Sequence, residues 1–230
     1  MKRISLIVPC LNEEEAIPAF KQEIDRVFKE CLEGYAPELI FVDDGSTDRS
    51  LEMIKKMAEH SPEVKFISFS RNFGKEAAIY AGLEAATGDY AAVMDVDLQD
   101  PPSLLPDMLK AIEKEGYDCA GTRRVTRQGE PLLRSFFARV FYKTIHQISD
   151  TRIVDGARDY KLMTRPVLEA LLSLKEYNRF SKGLYEWVGF RTKWFEYENV
   201  ERVAGETKWS FFKLFLYSIE GIVAFSTAPL

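Results

Sequence analysis

The chain has 230 residues, of which 46% are hydrophobic, 13% aromatic and 29% charged, a composition that can build the core of one large domain and argues against disorder. Its 31 basic and 36 acidic side chains leave a net charge of −5, which disfavours a basic nucleic-acid-binding protein. We expect no signal peptide at the first residues, and no apolar run reaches the roughly 18 residues needed to cross a bilayer.

Strand-like and helix-like segments alternate along the first 125 residues. Short apolar runs predict strands at residues 4–8, 39–42, 64–69, 90–94 and 118–122. Helices are predicted between them, at residues 13–33, 49–60, 75–86 and 102–115. This alternation predicts an α/β fold with a mostly parallel sheet. Ligands of such sheets bind beyond the carboxyl ends of the strands, where the polar motifs of this chain also fall.

The alternation is weaker after residue 125. Helices are predicted at residues 132–149, 166–174 and 180–188, and extended segments at 159–163 and 193–203. Residues 209–225 are apolar and aromatic apart from one narrow polar stripe, formed by Ser210, Lys213, Tyr217 and Glu220. A stripe of this kind indicates a helix lying at a membrane surface. A helix packed in the core or between subunits is the alternative, so a homo-oligomer remains open.

Charge is distributed unevenly between the two halves. Residues 1–100 carry 11 basic and 20 acidic side chains, a net of −9, whereas residues 101–230 carry 20 and 16, a net of +4. The basic side chains cluster at 121–146, where only Glu130 is acidic: Arg123, Arg124, Arg127, Arg134, Arg139 and Lys143. The first half can therefore hold a cation and the second an anion, although two solvated surfaces explain the same counts.

The three cysteines, Cys10, Cys31 and Cys119, are odd in number and lack the spacing of a metal site. We expect reduced thiols in an intracellular protein. The chain has only two histidines, His60 and His146, and this small number argues against a histidine-rich zinc site.

Asp95 and Asp97 follow the fourth predicted strand. In an extended chain this spacing places both carboxylates on one side, and Gln99 continues the alternation. Such oxygen ligands suit Mg²⁺ or Mn²⁺, whose remaining ligands usually include substrate phosphates. The alternative is a polar loop in which Asp100 caps the helix that begins near Pro102.

A second acidic motif, DDGSTD at residues 43–48, follows the second predicted strand. Gly45 permits a tight turn, and Thr47 or Asp48 can cap the next helix. The remaining acid could accept hydrogen bonds from a ribose or a base. The glycine motifs of dinucleotide-binding folds and P-loops are absent from the sequence, as is the nucleophile elbow of serine hydrolases.

Four motifs in this order resemble those of the family-two glycosyltransferases, which have the GT-A fold: VPCLNEE at 8–14, VDDGS at 42–46, RNFGK at 71–75 and DVDLQDPP at 95–102. The resemblance implies a nucleotide-sugar donor and a divalent cation, Mg²⁺ or Mn²⁺, bound by Asp95, Asp97 and Gln99. The family pattern places donor contacts at Pro9, Leu11, Asn12, Glu13, Val42, Asp44, Lys75, Asp95, Val96, Arg123, Arg202 and Lys208.

The second half resembles the polyprenyl-phosphate subgroup of that family, which includes bactoprenol glucosyltransferases and dolichol-phosphate mannose synthases. The matching segments are GTRR at 121–124 and GARDYKLM at 156–163, together with Arg202 and Lys208. The resemblance implies that the lipid phosphate is bound by Arg123, Arg134 and Arg139, with Lys143 a further candidate. For each of these, a solvated helix face is the alternative.

The resemblance also implies that Asp159 orients or deprotonates the acceptor in an inverting displacement. The alternative is a structural ion pair with Arg158 or Lys161. The implied reaction is hexose transfer at the cytoplasmic face of the cell membrane. The first choice is transfer of glucose from UDP-glucose to undecaprenyl phosphate. GDP-mannose with dolichyl phosphate, or a soluble acceptor, are the alternatives.

These inferences predict a catalytic GT-A domain over residues 1–205. It would consist of a donor-and-metal half at 1–125 and an acceptor half at 126–205. We expect a membrane-surface helix at 206–230, and transmembrane helices beyond residue 230 in a longer natural chain.

Overall fold

A computed structural model describes residues 1–124, 154 and 156–197 of the chain. Its seven strands are β1 (Lys2–Cys10), β2 (Tyr35–Asp43), β3 (Val64–Ser68), β4 (Tyr90–Val93), β5 (Cys119–Arg124), β6 (Ala157–Thr164) and β7 (Thr192–Tyr197). Its α-helices are α1 (Ile17–Cys31), α2 (Ser50–His60), α3 (Lys75–Ala85), α4 (Leu105–Glu115), α5 (Arg165–Ser173) and α6 (Ser181–Trp187). A 3₁₀ turn, Pro102–Leu104, precedes α4.

The seven strands form one sheet in the order β3-β2-β1-β4-β6-β5-β7. Neighbouring strands are parallel except around β6, which runs antiparallel to both β4 and β5. The predicted α/β class and mostly parallel sheet are therefore confirmed. The reversal of β6 brings its amino-terminal end to the edge where the other strands end.

Helices cover both faces of the sheet, because the strands alternate between two apolar faces as extended chains must. Leu6 and Phe41 pack with α1, α2 and α4 in one core cluster. Ile7 and Val42 pack with α3, α5 and α6 in the other. With both faces buried, strands such as β1 and β2 read as nearly continuous apolar runs, as is usual for parallel sheets.

The predicted elements agree with the structure to within a few residues, with one informative shift. α1 begins at Ile17, four residues later than predicted, because residues 13–16 form a turn in which the backbone N–H groups of Ala16 and Ile17 donate to the Glu13 carbonyl. The helices predicted at 132–149 and 209–225 lie outside the described residues, as does the end of the segment predicted at 193–203.

All three cysteines carry free thiols, as expected. Cys10 and Cys119 are buried and Cys31 is exposed. In the part of the chain that the structure describes, no helix is both long and apolar enough to span a bilayer.

Candidate active site

The sheet register brings two of the predicted acids to face each other. Val93, the last residue of β4, pairs with Lys161 on the antiparallel strand β6. Asp95 lies two residues beyond Val93, after the end of β4, and Asp159 lies within β6 two residues before Lys161, so the two acids lie at the same end of these paired strands. The donor side and the acceptor side expected from the sequence therefore meet between β4 and β6.

Lys75, the first residue of α3, lies between these two carboxylates. Its Nζ is 2.6 Å from Asp95 Oδ1 and 2.5 Å from Asp159 Oδ2. Burial by itself lowers the pKa of Lys75, but the charges of Asp159 and Asp95 outweigh it and hold that pKa well above its usual value. Lys75 is therefore a fixed positive charge shared by the two acids.

Asp159 has a second cation on its other oxygen. Lys182 Nζ, on α6, lies 3.8 Å from Asp159 Oδ1. Burial raises the pKa of Asp159, but Lys75 and then Lys182 outweigh that effect and hold the pKa well below its usual range. The carboxylate is therefore ionised at neutral pH and only weakly basic.

The alternative interpretation of Asp159, an ion pair with Arg158 or Lys161, is wrong about the partners. Arg158 Nε lies 3.0 Å from Asp100 Oδ1. Lys161 is buried and pairs instead with Glu186, at 3.3 Å. The described partners of Asp159 are Lys75 and Lys182. Both lysines lie on the side of the sheet where the parallel strands end.

The segment that follows β4 turns instead of continuing as an extended chain, so the predicted two-residue alternation of carboxylates is not observed. Asp97 Oδ1 accepts a hydrogen bond from the Gln99 backbone N–H at 3.1 Å, and Leu98 has φ of 57°, in the left-handed region. Non-glycine residues rarely adopt this conformation. Asp95, Asp97 and Gln99 therefore lie in or next to one turn.

The donor set of this turn fits Mg²⁺ or Mn²⁺, because two carboxylates and one amide supply only hard oxygen ligands. No group of three or more Asp, Glu, His or Cys side chains is placed to bind a metal within residues 1–124, 154 and 156–197. Asp95, Asp97 and Gln99 therefore remain the ligands that the sequence motif predicts for such an ion.

Asp100 does not cap the helix that follows it, contrary to the alternative considered for this residue. The 3₁₀ turn begins after Pro101 without a side-chain cap in the described structure. The buried Asp100 carboxylate, 1% exposed, instead accepts hydrogen bonds from Arg158 and from the Tyr197 hydroxyl. The acidic turn is thereby fastened to β6 and to the end of β7.

The loops after β1 and β2 are joined through side-chain oxygens. Asn12, at φ of 52°, accepts a hydrogen bond from the Thr47 backbone N–H at 2.7 Å. Asp48 Oδ1 accepts one from the Ser50 N–H at 2.9 Å, although the N-cap residue of α2 is Arg49 and not Thr47 or Asp48 as predicted. Gly45, at φ of 74°, packs with its α-carbon against the backbone of Arg71. The expected nucleoside contacts therefore lie on mutually fixed loops.

Asp44 holds the loop that leads into Lys75. Its carboxylate accepts hydrogen bonds from the backbone N–H of Phe73, at 2.6 Å, and of Gly74, at 3.0 Å. Burial raises the pKa of Asp44 above its usual value, and these two donors oppose the rise. A nucleoside contact expected from Asp44 would therefore share the carboxylate with a loop-fixing function.

The remaining expected site residues fall into two groups. Pro9 and Val42 are register partners on β1 and β2, next to Leu11 and Glu13, and Val96 is buried in the turn after β4. Arg123 ends near the same edge on β5, where its guanidinium pairs with Glu196. Several predicted residues lie outside the described part of the chain: Arg134, Arg139, Lys143, Arg202 and Lys208.

Two residues that the sequence interpretation missed belong to this site. Lys182 contacts Asp159, and Glu76 accepts hydrogen bonds from the backbone N–H and hydroxyl of Ser181, which precedes Lys182. Neither occurs in a motif of the resemblance. The one available signal was a lysine beginning a predicted helix, which more often indicates a solvated surface.

The family of the chain follows from comparison with known proteins. The model of Glycosyl transferase family 2 matches residues 5–172. A putative glycosyltransferase of Bacillus subtilis, CsbB, is 44% identical over 99% of this chain and 68% of its own length. A prophage bactoprenol glucosyl transferase homolog of Escherichia coli is 42% identical over 99% of this chain and 74% of its own length. The bactoprenol glucosyl transferase of Shigella phage SfV is 42% identical over 99% of this chain and 73% of its own length.

Solved structures agree in fold. The Mycobacterium tuberculosis glucosyl-3-phosphoglycerate synthase, in complex with Mn²⁺ and UDP-glucose, matches 96% of this chain and 77% of its own, with a TM-score of 0.59 and 20% identity. A Pyrobaculum calidifontis mannosyltransferase, in complex with GDP-mannose and Mn²⁺, matches 88% of this chain and 57% of its own, with a TM-score of 0.57 and 22% identity. These likenesses confirm the predicted GT-A fold. The family match over residues 5–172 and the relatives of 42–44% identity show that the chain belongs to glycosyl transferase family 2.

Proposed function

We propose that the protein transfers glucose from UDP-glucose to the phosphate of a polyprenyl phosphate, with inversion at the anomeric carbon and a divalent cation on the donor diphosphate. One observation carries the proposal: the Lys75 ammonium joins Asp95, on the expected donor side, to Asp159, on the expected acceptor side. It does so in a chain whose relatives, similar over 99% of its length, include bactoprenol glucosyl transferases.

The donor would lie at the carboxyl ends of β1, β2 and β4. Asp95, Asp97 and Gln99 would hold Mg²⁺ or Mn²⁺, and the bound ion would supply charge stabilisation to the diphosphate leaving group. The loops joined by Asn12 and Asp44 would hold the nucleoside. The other donor contacts carried over from the family pattern remain part of the proposal: Pro9, Leu11, Glu13, Val42, Lys75, Val96, Arg123, Arg202 and Lys208.

The acceptor needs charge neutralisation more than it needs a base. A phosphate monoester is largely dianionic at neutral pH, since its second pKa is about 6, so an acceptor oxygen can attack without losing a proton. Asp159 is held in its ionised form by Lys75 and Lys182, and its lowered pKa makes it a poor base. We therefore assign Asp159 to orienting the cations around the acceptor. Arg123, Arg134 and Arg139 would bind the acceptor phosphate.

Because the acceptor is a membrane lipid, the enzyme would work at a membrane surface, on the cytoplasmic face where nucleotide-sugars are available. Residues 206–230 would supply the surface contact, and residues 1–205 the catalytic domain. Flotation with vesicles containing polyprenyl phosphate tests the attachment. Vesicle binding that survives deletion of residues 206–230 would contradict the role given to that segment.

A donor panel tests the activity itself. The full chain is incubated with a short polyprenyl phosphate, Mn²⁺ and either UDP-glucose, a UDP-linked amino sugar or GDP-mannose, and the lipid product is measured by mass spectrometry. We expect glucosyl lipid from UDP-glucose, lost with EDTA and in Asp95→Asn but retained in Asp107→Asn, an exposed acid on α4. Preferred transfer from GDP-mannose, transfer only to a soluble phosphate such as 3-phosphoglycerate, or no transfer at all would overturn the proposal.

A further inference from the structure

α6 brings a second lysine to the acceptor side of Asp159. The two oxygens of this carboxylate face different cations: Oδ2 lies 2.5 Å from Lys75, and Oδ1 lies 3.8 Å from Lys182. Lys75 also contacts Asp95, the expected metal ligand. Lys182 therefore approaches Asp159 from the oxygen that does not face the donor side.

Lys182 lies next to Asp159, but its ammonium can still bind a further anion. A separation of 3.8 Å is too long for a direct hydrogen bond, so the pairing with Asp159 does not engage the N–H donors of the ammonium. Its side chain is 23% exposed, which lets a ligand reach it. By contrast, Lys161, on the same face of β6 as Asp159, is buried against the rings of Tyr185 and Trp194 and cannot serve this purpose.

The start of α6 is fastened to the start of α3, and this link sets where Lys182 stands. The Glu76 carboxylate accepts a hydrogen bond from the Ser181 hydroxyl at 2.5 Å and from the Ser181 backbone N–H at 3.1 Å. Glu76 directly follows Lys75, and Ser181 directly precedes Lys182. One carboxylate thus fixes the spacing of the two lysines that flank Asp159, while buried Leu184 and Tyr185 anchor the rest of the helix.

We propose that Lys182 is an acceptor-phosphate-binding residue, and that Glu76 is a positioning residue that places it through Ser181. This inference rests on the proposed function, because it names a residue of the same acceptor site. The donor diphosphate and the acceptor phosphate are both anionic, so their approach requires cations on the acceptor side as well as on the donor side. Lys182 supplies one of these from a helix whose first residue is hydrogen-bonded to Glu76.

Lys182→Met tests the proposal, with Lys175→Met, an exposed lysine just before α6, as the matched control. We expect Lys182→Met to raise the KM for the polyprenyl phosphate roughly 10-fold or more, with the KM for UDP-glucose unchanged within about 2-fold. Lys182→Arg should recover most of the loss, and Lys175→Met should behave as wild type. Equal acceptor KM values for wild type and Lys182→Met would overturn the proposal.

A binding measurement separates this proposal from the proposed function. Calorimetry of the full chain with UDP and Mn²⁺ present compares farnesyl phosphate, inorganic phosphate and farnesol. Lys182→Met should weaken both phosphates and leave farnesol unaffected, and unchanged phosphate binding would refute the assignment. If wild type binds farnesyl phosphate through Lys182 but transfers no sugar, the proposed reaction fails while the phosphate site stands.

Glu76→Ala tests the positioning link. It should raise the acceptor KM in the wild-type background and have little further effect in Lys182→Met, because its contribution passes through Lys182. The readout is the KM for polyprenyl phosphate against that for UDP-glucose, which a merely structural change would move together. An additive effect of the two substitutions would overturn the role of Glu76.

Discussion

Replacing Arg158 with methionine should both destabilise the fold and weaken donor binding, because Arg158 neutralises a buried acid next to the metal-binding turn. Asp100 is 1% exposed, and Arg158 Nε lies 3.0 Å from its Oδ1. Within the described structure the second oxygen, Oδ2, has no hydrogen-bond partner. Loss of the guanidinium would leave a buried carboxylate with the Tyr197 hydroxyl as its remaining described donor.

The magnitude follows from burial and distance. With charge centres about 4 Å apart and an effective dielectric constant near 20, the attraction is about 4 kcal/mol. Breaking one partner of a buried pair costs about 3–5 kcal/mol in measured cases. Because the Arg158 side chain is 26% exposed, solvent screens part of this attraction, and we expect about 3 kcal/mol. For a chain of this size the melting temperature should fall by roughly 6–12 °C.

Urea unfolding of four proteins measures the effect: wild type, Arg158→Met, Asp100→Asn and the double variant. The double variant should be more stable than the sum of the single losses predicts, with a coupling energy of about 2 kcal/mol. Arg26→Met is the matched control, since Arg26 forms exposed ion pairs with Glu23 and Glu30. We expect it to cost under about 1 kcal/mol.

Binding of UDP with Mn²⁺ provides the functional readout. Asp100 ends the turn that holds Asp95 and Asp97, so loosening it should weaken metal-dependent UDP binding in Arg158→Met but not in Arg26→Met. A stability loss below about 1 kcal/mol, or additive single losses, would refute the account of the buried pair. Unchanged UDP binding despite a large stability loss would refute its connection to the metal-binding turn.

Three further predictions concern single positions. Burial raises the pKa of Glu38, but hydrogen bonds from three neighbouring side chains outweigh it and lower the pKa to about 2. Glu38→Gln should therefore cost roughly 2–3 kcal/mol above pH 5 and reduce by a similar amount the loss of stability that wild type shows as pH falls from about 4.5 to 2, measured by urea unfolding across pH. Gly45→Ala should lower the free energy of unfolding by roughly 2 kcal/mol or more, measured by thermal unfolding. The added Cβ would lie 2.5 Å from a backbone carbon of the loop before α3. Lys75→Met should lower turnover at least about 100-fold, because Asp95 and Asp159 would repel each other without the shared ammonium; wild-type turnover in this variant, measured as lipid-linked sugar formed, would contradict the role of Lys75.

The parts of the fold that follow from local pattern could be predicted from the sequence. Apolar runs separated by amphipathic helices identify β1 to β5 and their crossovers, because each parallel strand needs a covering helix on the sheet. The motifs then fall at the carboxyl ends by topology alone. Asp44 and Asp95 are predicted in this way, whereas Asp159 is predicted only from the family resemblance.

Contacts that depend on the placement of distant elements could not be predicted. Lys75 was expected as a donor contact, yet its described partners are two acids from β4 and β6. Asp100 resembles a helix cap by its position before two prolines, but the buried partner at Arg158 competes more strongly for its carboxylate. Lys182 carries only a weak local signal, because a lysine at the start of a short helix is usually solvated.

The direction of β6 is the feature on which the site most depends, and it is also invisible to local pattern. Residues 159–163 alternate in polarity equally well in either direction. Were β6 parallel to β4 in the same position, Asp159 would move three residues along the strand, by about 10 Å at 3.3 Å per residue. Lys75 could then not reach Asp95 and Asp159 together. The antiparallel pairing of β6 with β4 therefore determines that the predicted acceptor-side acid, Asp159, lies near the turn that carries Asp95.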